Sequence, residues 1–87
     1  MNHRHRKVLH ALFAHPTSAN IDVKDVETML HELGAAVETM SGNRLGVTLN
    51  GRNAAFHRAA HGLGKDEVVR IRHFLTECGI DPAAYPA

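Results

Sequence analysis

With 87 residues, 44% of them hydrophobic, the chain is sized for one small domain with a single core and has little room for a large cofactor cavity. No apolar run approaches the ~18 residues a membrane helix needs, the opening MNHRHRK lacks the long apolar core of a secretion signal, and a cytoplasmic protein is expected. The lone Cys78 excludes an internal disulfide, and the net charge of +1 hides a strong segregation: residues 1–20 carry +3, 21–40 carry −4, 41–73 carry +4 and 74–87 carry −2. The third segment is a basic half that suits an anionic partner such as nucleic acid.

In chain order, Val8, Leu9, Leu12 and Phe13 form the stripe of a short first helix over His3 to His15, stopped by Pro16. His3, His5, His10 and His15 lack the carboxylate or cysteine partners of a ligand set and read as a solvated, weakly basic arm, so no metal site is expected. After a turn-like Thr17 to Asn20, Asp22 is placed to cap a second helix with Asp25 and Glu27 near its positive end. Val23, Val26, Leu30 and Leu33 are its inner stripe, Gly34 its left-handed stop, and Lys24, Asp25, Glu27 and Glu32 its solvated face. Ala35 to Met40 is a strand by position, before the turn Ser41-Gly42-Asn43.

Asn50-Gly51 is a strong hairpin signal, because both central residues of a type I′ turn need φ > 0. A two-residue loop pairs Leu49 with Arg52, Val47 with Ala54 and Leu45 with Phe56, an apolar row for the core. The other face then pairs Thr48 with Asn53, Gly46 with Ala55 and Arg44 with His57. Beyond a Gly-containing segment from Ala59 to Gly64, Val68, Ile71, Phe74 or Leu75, and Cys78 stripe a final helix, which Gly79 ends with Ile80 placed for a Schellman contact. Arg70 and Arg72 read as solvated, Cys78 as a small buried hydrophobe, and residues 81–87 as an extended tail. The expected architecture is α+β: two amphipathic helices across one face of a three-stranded antiparallel sheet, with the Arg44/His57 face open.

From Asp22 to Ile80 the sequence resembles the HicA family of bacterial toxins. The resemblance rests on DVKDVETMLHELGA as the leading helix, Ser41-Gly42-Asn43-Arg44 entering the second strand, VTLNGR at the turn, FHRAAH leaving the third strand, and GKDEVVRIRHFLTECGI as the closing helix. HRKVLHALFAHP is similar to the added N-terminal helix of one branch of that family. The likeness implies a double-stranded-RNA-binding-like fold over a single domain, with 1–20 as helix extension, 22–80 as core and 81–87 as tail. It also implies a messenger-RNA interferase held inactive by a HicB antitoxin. One position departs: the family has Gly-Ser-His at the start of the second strand, with that His catalytic, where this chain has Gly42, Asn43 and Arg44. An arginine binds phosphate or stabilises a phosphorane but is no ordinary general base.

Cleaving RNA without metal or cofactor takes a base for the 2′-hydroxyl, an acid for the leaving 5′-oxygen and positive charge at the phosphate. The expected catalytic set is His57, Arg44 and His61, with Arg44, Thr48, Arg52, Asn53, Arg58 and Lys65 contacting RNA. Three readings follow: an RNA-cleaving toxin with an antitoxin partner, a catalytically silent RNA- or antitoxin-binding module of the same fold, and a pH-sensitive interaction protein using its histidines.

Overall fold

The computed structural model describes residues 1–17, 21–57 and 63–86. In order it holds α1 (His3–Leu12), α2 (Val23–Glu32), β1 (Ala36–Met40), β2 (Arg44–Leu49), β3 (Arg52–His57), α3 (Lys65–Glu77) and a 3-10 turn (Pro82–Ala84). The three strands form one antiparallel sheet in the order β1-β2-β3. No helix among the described residues is long and apolar enough to cross a membrane.

The hairpin folds as its alternation requires. Asn50 (φ 52°) and Gly51 (φ 79°) both take the left-handed region of a type I′ turn, and the register sets Leu49, Val47 and Leu45 opposite Arg52, Ala54 and Phe56. A two-residue period sends Leu45, Val47, Leu49 and Phe56 into the core, where they are all but fully buried. The Asn50 side chain has a second duty, donating to the Cys78 carbonyl at 2.7 Å. That bond satisfies one of the carbonyls left open where α3 ends. Cys78 answers by donating its thiol to the Leu49 carbonyl at 3.3 Å. Burial pushes the thiol's pKa up, which keeps it an inert core group.

Both helices on the sheet stop alike. At the end of α2, Ala35 N–H reaches the Leu30 carbonyl (3.0 Å) past Gly34; at the end of α3, Ile80 N–H reaches Leu75 (2.9 Å) past Gly79. These are Schellman motifs with glycine in the left-handed position. Before the two helices, Leu63 N–H bonds to the Ile21 carbonyl at 2.9 Å, tying their starts together. The core joins Val23, Val26, Met29 and Leu30 of α2 to Val68, Ile71, Phe74 and Leu75 of α3 and to the inner row of the sheet, with no buried polar residue among the described residues.

The first helix differs from its expected form. It ends at Leu12, three residues short of His15, and packs on α2 and α3 as an outer layer, with Leu9 and Leu12 fully buried. Nor is its histidine arm simply solvated. Glu32, expected on a solvated face, accepts from the Asn2 N–H (3.0 Å) and pairs with His5 Nδ1, while the N-terminal amine lies 3.8 Å away. The His5 bond, with the Asn2 N–H and nearby positive charge, holds the Glu32 carboxyl below its ordinary range against the opposing effect of burial. Arg4 pairs with Asp25 at 2.8 Å.

Two further expectations are corrected. The tail is not extended: Asp81 caps the turn at Pro82–Ala84, Tyr85 packs against the core and its carbonyl bonds to His10 Nε2 at 2.8 Å. Arg72 is not a free surface residue, since its Nη2 donates to Thr17 Oγ1 at 3.0 Å and its Nη1 lies 3.3 Å from His15 Nε2.

Candidate nucleic-acid interface

With the helices on one side, no described element covers the other side of the sheet. The register assigns it Ala36, Glu38 and Met40 from β1, Arg44, Gly46 and Thr48 from β2, and Asn53, Ala55 and His57 from β3. Arg44 and His57 are direct partners, both exposed. Counting back from the turn, this is a pair of the non-hydrogen-bonded kind, in which side chains approach most closely, with Cβ atoms about 4.5–5.5 Å apart. The Arg44 Nε donates over a long 3.5 Å to the Ser41 carbonyl. Among the described residues the guanidinium meets no carboxylate, so its charge is available to an incoming anion.

His57 is steadied from α3. Residues of such pairs on an outer strand turn their backbone groups away from the sheet, and here α3 receives them. His57 N–H donates to Glu67 Oε2 at 3.3 Å, and the Ala55 carbonyl accepts from Arg70 Nη2 at 3.0 Å. Arg70 also holds both Glu67 oxygens, at 3.1 and 3.2 Å, and stacks over the Phe56 ring at 5.6 Å. Arg70 is therefore no idle solvated residue. It closes an edge that would otherwise be open to strand addition.

The other expected RNA contacts divide. Thr48 and Asn53 face each other, exposed, at the far end of the open face from Arg44 and His57. Lys65 opens α3 and lines a hollow of about 340 Å³ with His57, Gly64, Asp66 and Glu67. Arg52 stands apart: it falls on the helix-facing row and lies 3.7 Å from Glu77 of α3. Arg58 and His61 lie outside the described residues, so of the expected catalytic set the fold brings together Arg44 and His57.

Two residues outside the expected site also belong to this face. Glu38 lies opposite Gly46 in the middle of the sheet, exposed, with no hydrogen bond or ion pair to any described residue. Met40, 39% exposed, lies opposite Arg44 and brings its Sδ to 3.0 Å from where a Cβ on Gly46 would stand. Their face follows from the β1–β2 register, which a turn with positive φ at both Gly42 and Asn43 sets. No family model matches the chain, and no match to a curated protein or to a solved structure is found. The groups with metal-binding potential do not cluster either: no set of three His, Cys, Asp or Glu converges among the described residues.

Proposed function

We propose that this protein is a HicA-like toxin of a type II toxin-antitoxin pair, a metal-independent messenger-RNA endonuclease of the cytoplasm neutralised by a HicB-like antitoxin. The supporting observation is the pair Arg44 and His57, adjacent on the uncovered side of the sheet. The succession α2, β1, β2, β3, α3 with both helices on one face also suits a double-stranded-RNA-binding-like fold. In this reading a phosphodiester rests against Arg44. His57 takes the proton of the 2′-hydroxyl, whose oxygen attacks phosphorus, and the guanidinium stabilises the charge that gathers on the phosphorane oxygens. The P–O5′ bond breaks, leaving a 2′,3′-cyclic phosphate and a 5′-hydroxyl that receives a proton from a second group. His61 is the candidate acid. Lys65 supplies further positive charge beside His57. The antitoxin covers Arg44 and His57.

The silent binding module remains the second reading, favoured by one observation: among the described residues of the open face His57 is the one histidine, and Arg44 holds the place of the family's histidine. Both readings meet one experiment, incubation of the protein with a mixed RNA pool in EDTA beside His57→Ala and Arg44→Ala. Cleavage lost in both variants is the expected result. Cleavage indifferent to both removes the mechanism, and RNA binding without cleavage selects the silent module. Neither binding nor cleavage would point to the histidine-based interaction protein.

A further inference from the structure

The middle of the open face is hollowed. Ala36, Glu38, Met40, Gly46, Thr48, Asn53 and Ala55 surround about 350 Å³ at the small end of ligand pockets. Its floor is low because Gly46 and Ala55, a cross-strand pair, carry almost no side chain. The Met40 thioether lies close over Gly46, a flat, polarizable surface of the kind that packs against ring edges and faces. On a face read as a landing place for a polyanion, a carboxylate without a partner works against binding. Among the described residues Glu38 meets no partner, and it stands at this hollow, opposite Gly46 and two residues along from the Met40–Arg44 pair.

We propose that the hollow is a nucleobase subsite that selects guanine through Glu38; the proposal rests on the reading of this face as an RNA surface. An ionised carboxylate only accepts hydrogen bonds, on two oxygens side by side. Guanine offers it two parallel donors, N1–H and one N2–H, on its Watson–Crick edge. Cytosine and adenine present a single exocyclic amine there beside a ring acceptor that a carboxylate repels, and uracil presents one imino donor between two carbonyls. Bases of single-stranded RNA are splayed out and read on this edge. Met40 and the Gly46/Ala55 floor receive the ring, and Thr48 and Asn53 bond its other polar atoms or the ribose. Two residues along a strand is about 7 Å, which puts the guanine beside the phosphate on Arg44 and next to the bond that His57 opens.

The test is titration of the isotope-labelled protein with each of the four nucleoside 5′-monophosphates, following the backbone amides of Gly46 and Ala55. Guanosine monophosphate is expected to move both amides and to bind on the order of tenfold more tightly than the other three, the effect of one charge-assisted bond pair. Glu38→Gln, an exposed and nearly isosteric change, is expected to erase that preference with the melting temperature unchanged. Gly46→Val fills the floor, displaces Met40 and is expected to abolish the shifts. Equal binding of all four nucleotides, unmoved Gly46 and Ala55 amides, or a preference that survives Glu38→Gln overturns the assignment. Cleavage plays no part in this readout. Shifts that persist while RNA stays intact would sink the nuclease reading alone, and cleavage without guanine binding would sink only the subsite.

Discussion

The two sides of the β2–β3 hairpin are built from alternate residues of one short stretch, yet they obey different rules. On the covered side, Leu45, Val47, Leu49 and Phe56 are chosen for volume and apolarity, and every neighbour is a packed side chain. On the open side, Arg44, Thr48, Asn53 and His57 are exposed polar groups that contribute nothing to the core. Packing accounts for the first set completely and for the second not at all. The open face gathers a guanidinium, an imidazole, a carboxylate and a thioether around two small residues, and the proposal that it binds RNA gives those groups a common use.

The sharpest way to break that contrast is a pair of substitutions on neighbouring residues. Val47→Asp buries a carboxylate between Val37 and Ala54, and its expected cost is about 4 kcal/mol or more, enough to unfold a domain of this size. Thr48→Asp, one residue on, is expected to change the unfolding free energy by no more than about 0.5 kcal/mol while weakening RNA binding by repulsion. Urea melts followed by circular dichroism decide it. Equal damage from both would mean that the open face is also a packed one.

Next in size, His57→Ala is expected to slow RNA cleavage at least ~100-fold, the usual contribution of one general base, with a melt that overlays the unsubstituted protein's. A parallel loss of stability would move His57 to the structural side of the ledger. Smaller still is the turn that joins the two sides. Asn50→Ala loses the bond to the Cys78 carbonyl and forces alanine to a φ of 52°, for a combined cost of about 2 kcal/mol. Asn50→Gly keeps the conformation and loses only the bond, about 1 kcal/mol. The difference between the two melts separates backbone strain from helix capping.

How far the contrast was legible beforehand depended on how local the signals were. The β2–β3 register followed from two facts within a few residues of each other, the alternation of Leu45 to Phe56 and an Asn-Gly turn, and it placed Arg44 beside His57. The ends of α2 and α3 were equally readable from Gly34 and Gly79. What escaped were arrangements set outside that hairpin. Glu38 and Met40 took their face from a turn whose two left-handed residues fix β1 against β2. Arg70 acquired its bonds by lying along the edge of β3, and Tyr85 by the tail turning back onto α1. A charged residue on a helix looks solvated by spacing alone, because spacing says nothing about which neighbour arrives. For the same reason Arg52, expected among the RNA contacts, is drawn toward Glu77 on the helix side.

The smallest expected effect concerns the layer farthest from the open face, where polar ties supplement burial. Leu9 and Leu12 anchor α1 by burial, but its start is fastened through one carboxylate, Glu32, which takes the Asn2 N–H and the His5 ring. Because the folded state holds this carboxyl below the 4.5 of a free one, the group favours folding above that value and loses its contribution as pH falls from about 4.5 through the lower folded pKa. Glu32→Gln removes that dependence. Denaturant melts at stepped pH should therefore show the unsubstituted protein more stable at neutrality, with the two curves converging below pH 4.5. At one fixed, neutral pH the hairpin amides of Glu32→Gln should overlay those of the unsubstituted protein, since α1 packs on the helices and not on the strands. Movement of the Arg44 and His57 amides on that substitution, at unchanged pH, would show that the open face is mechanically tied to α1, and would erase the separation between the two sides of the hairpin.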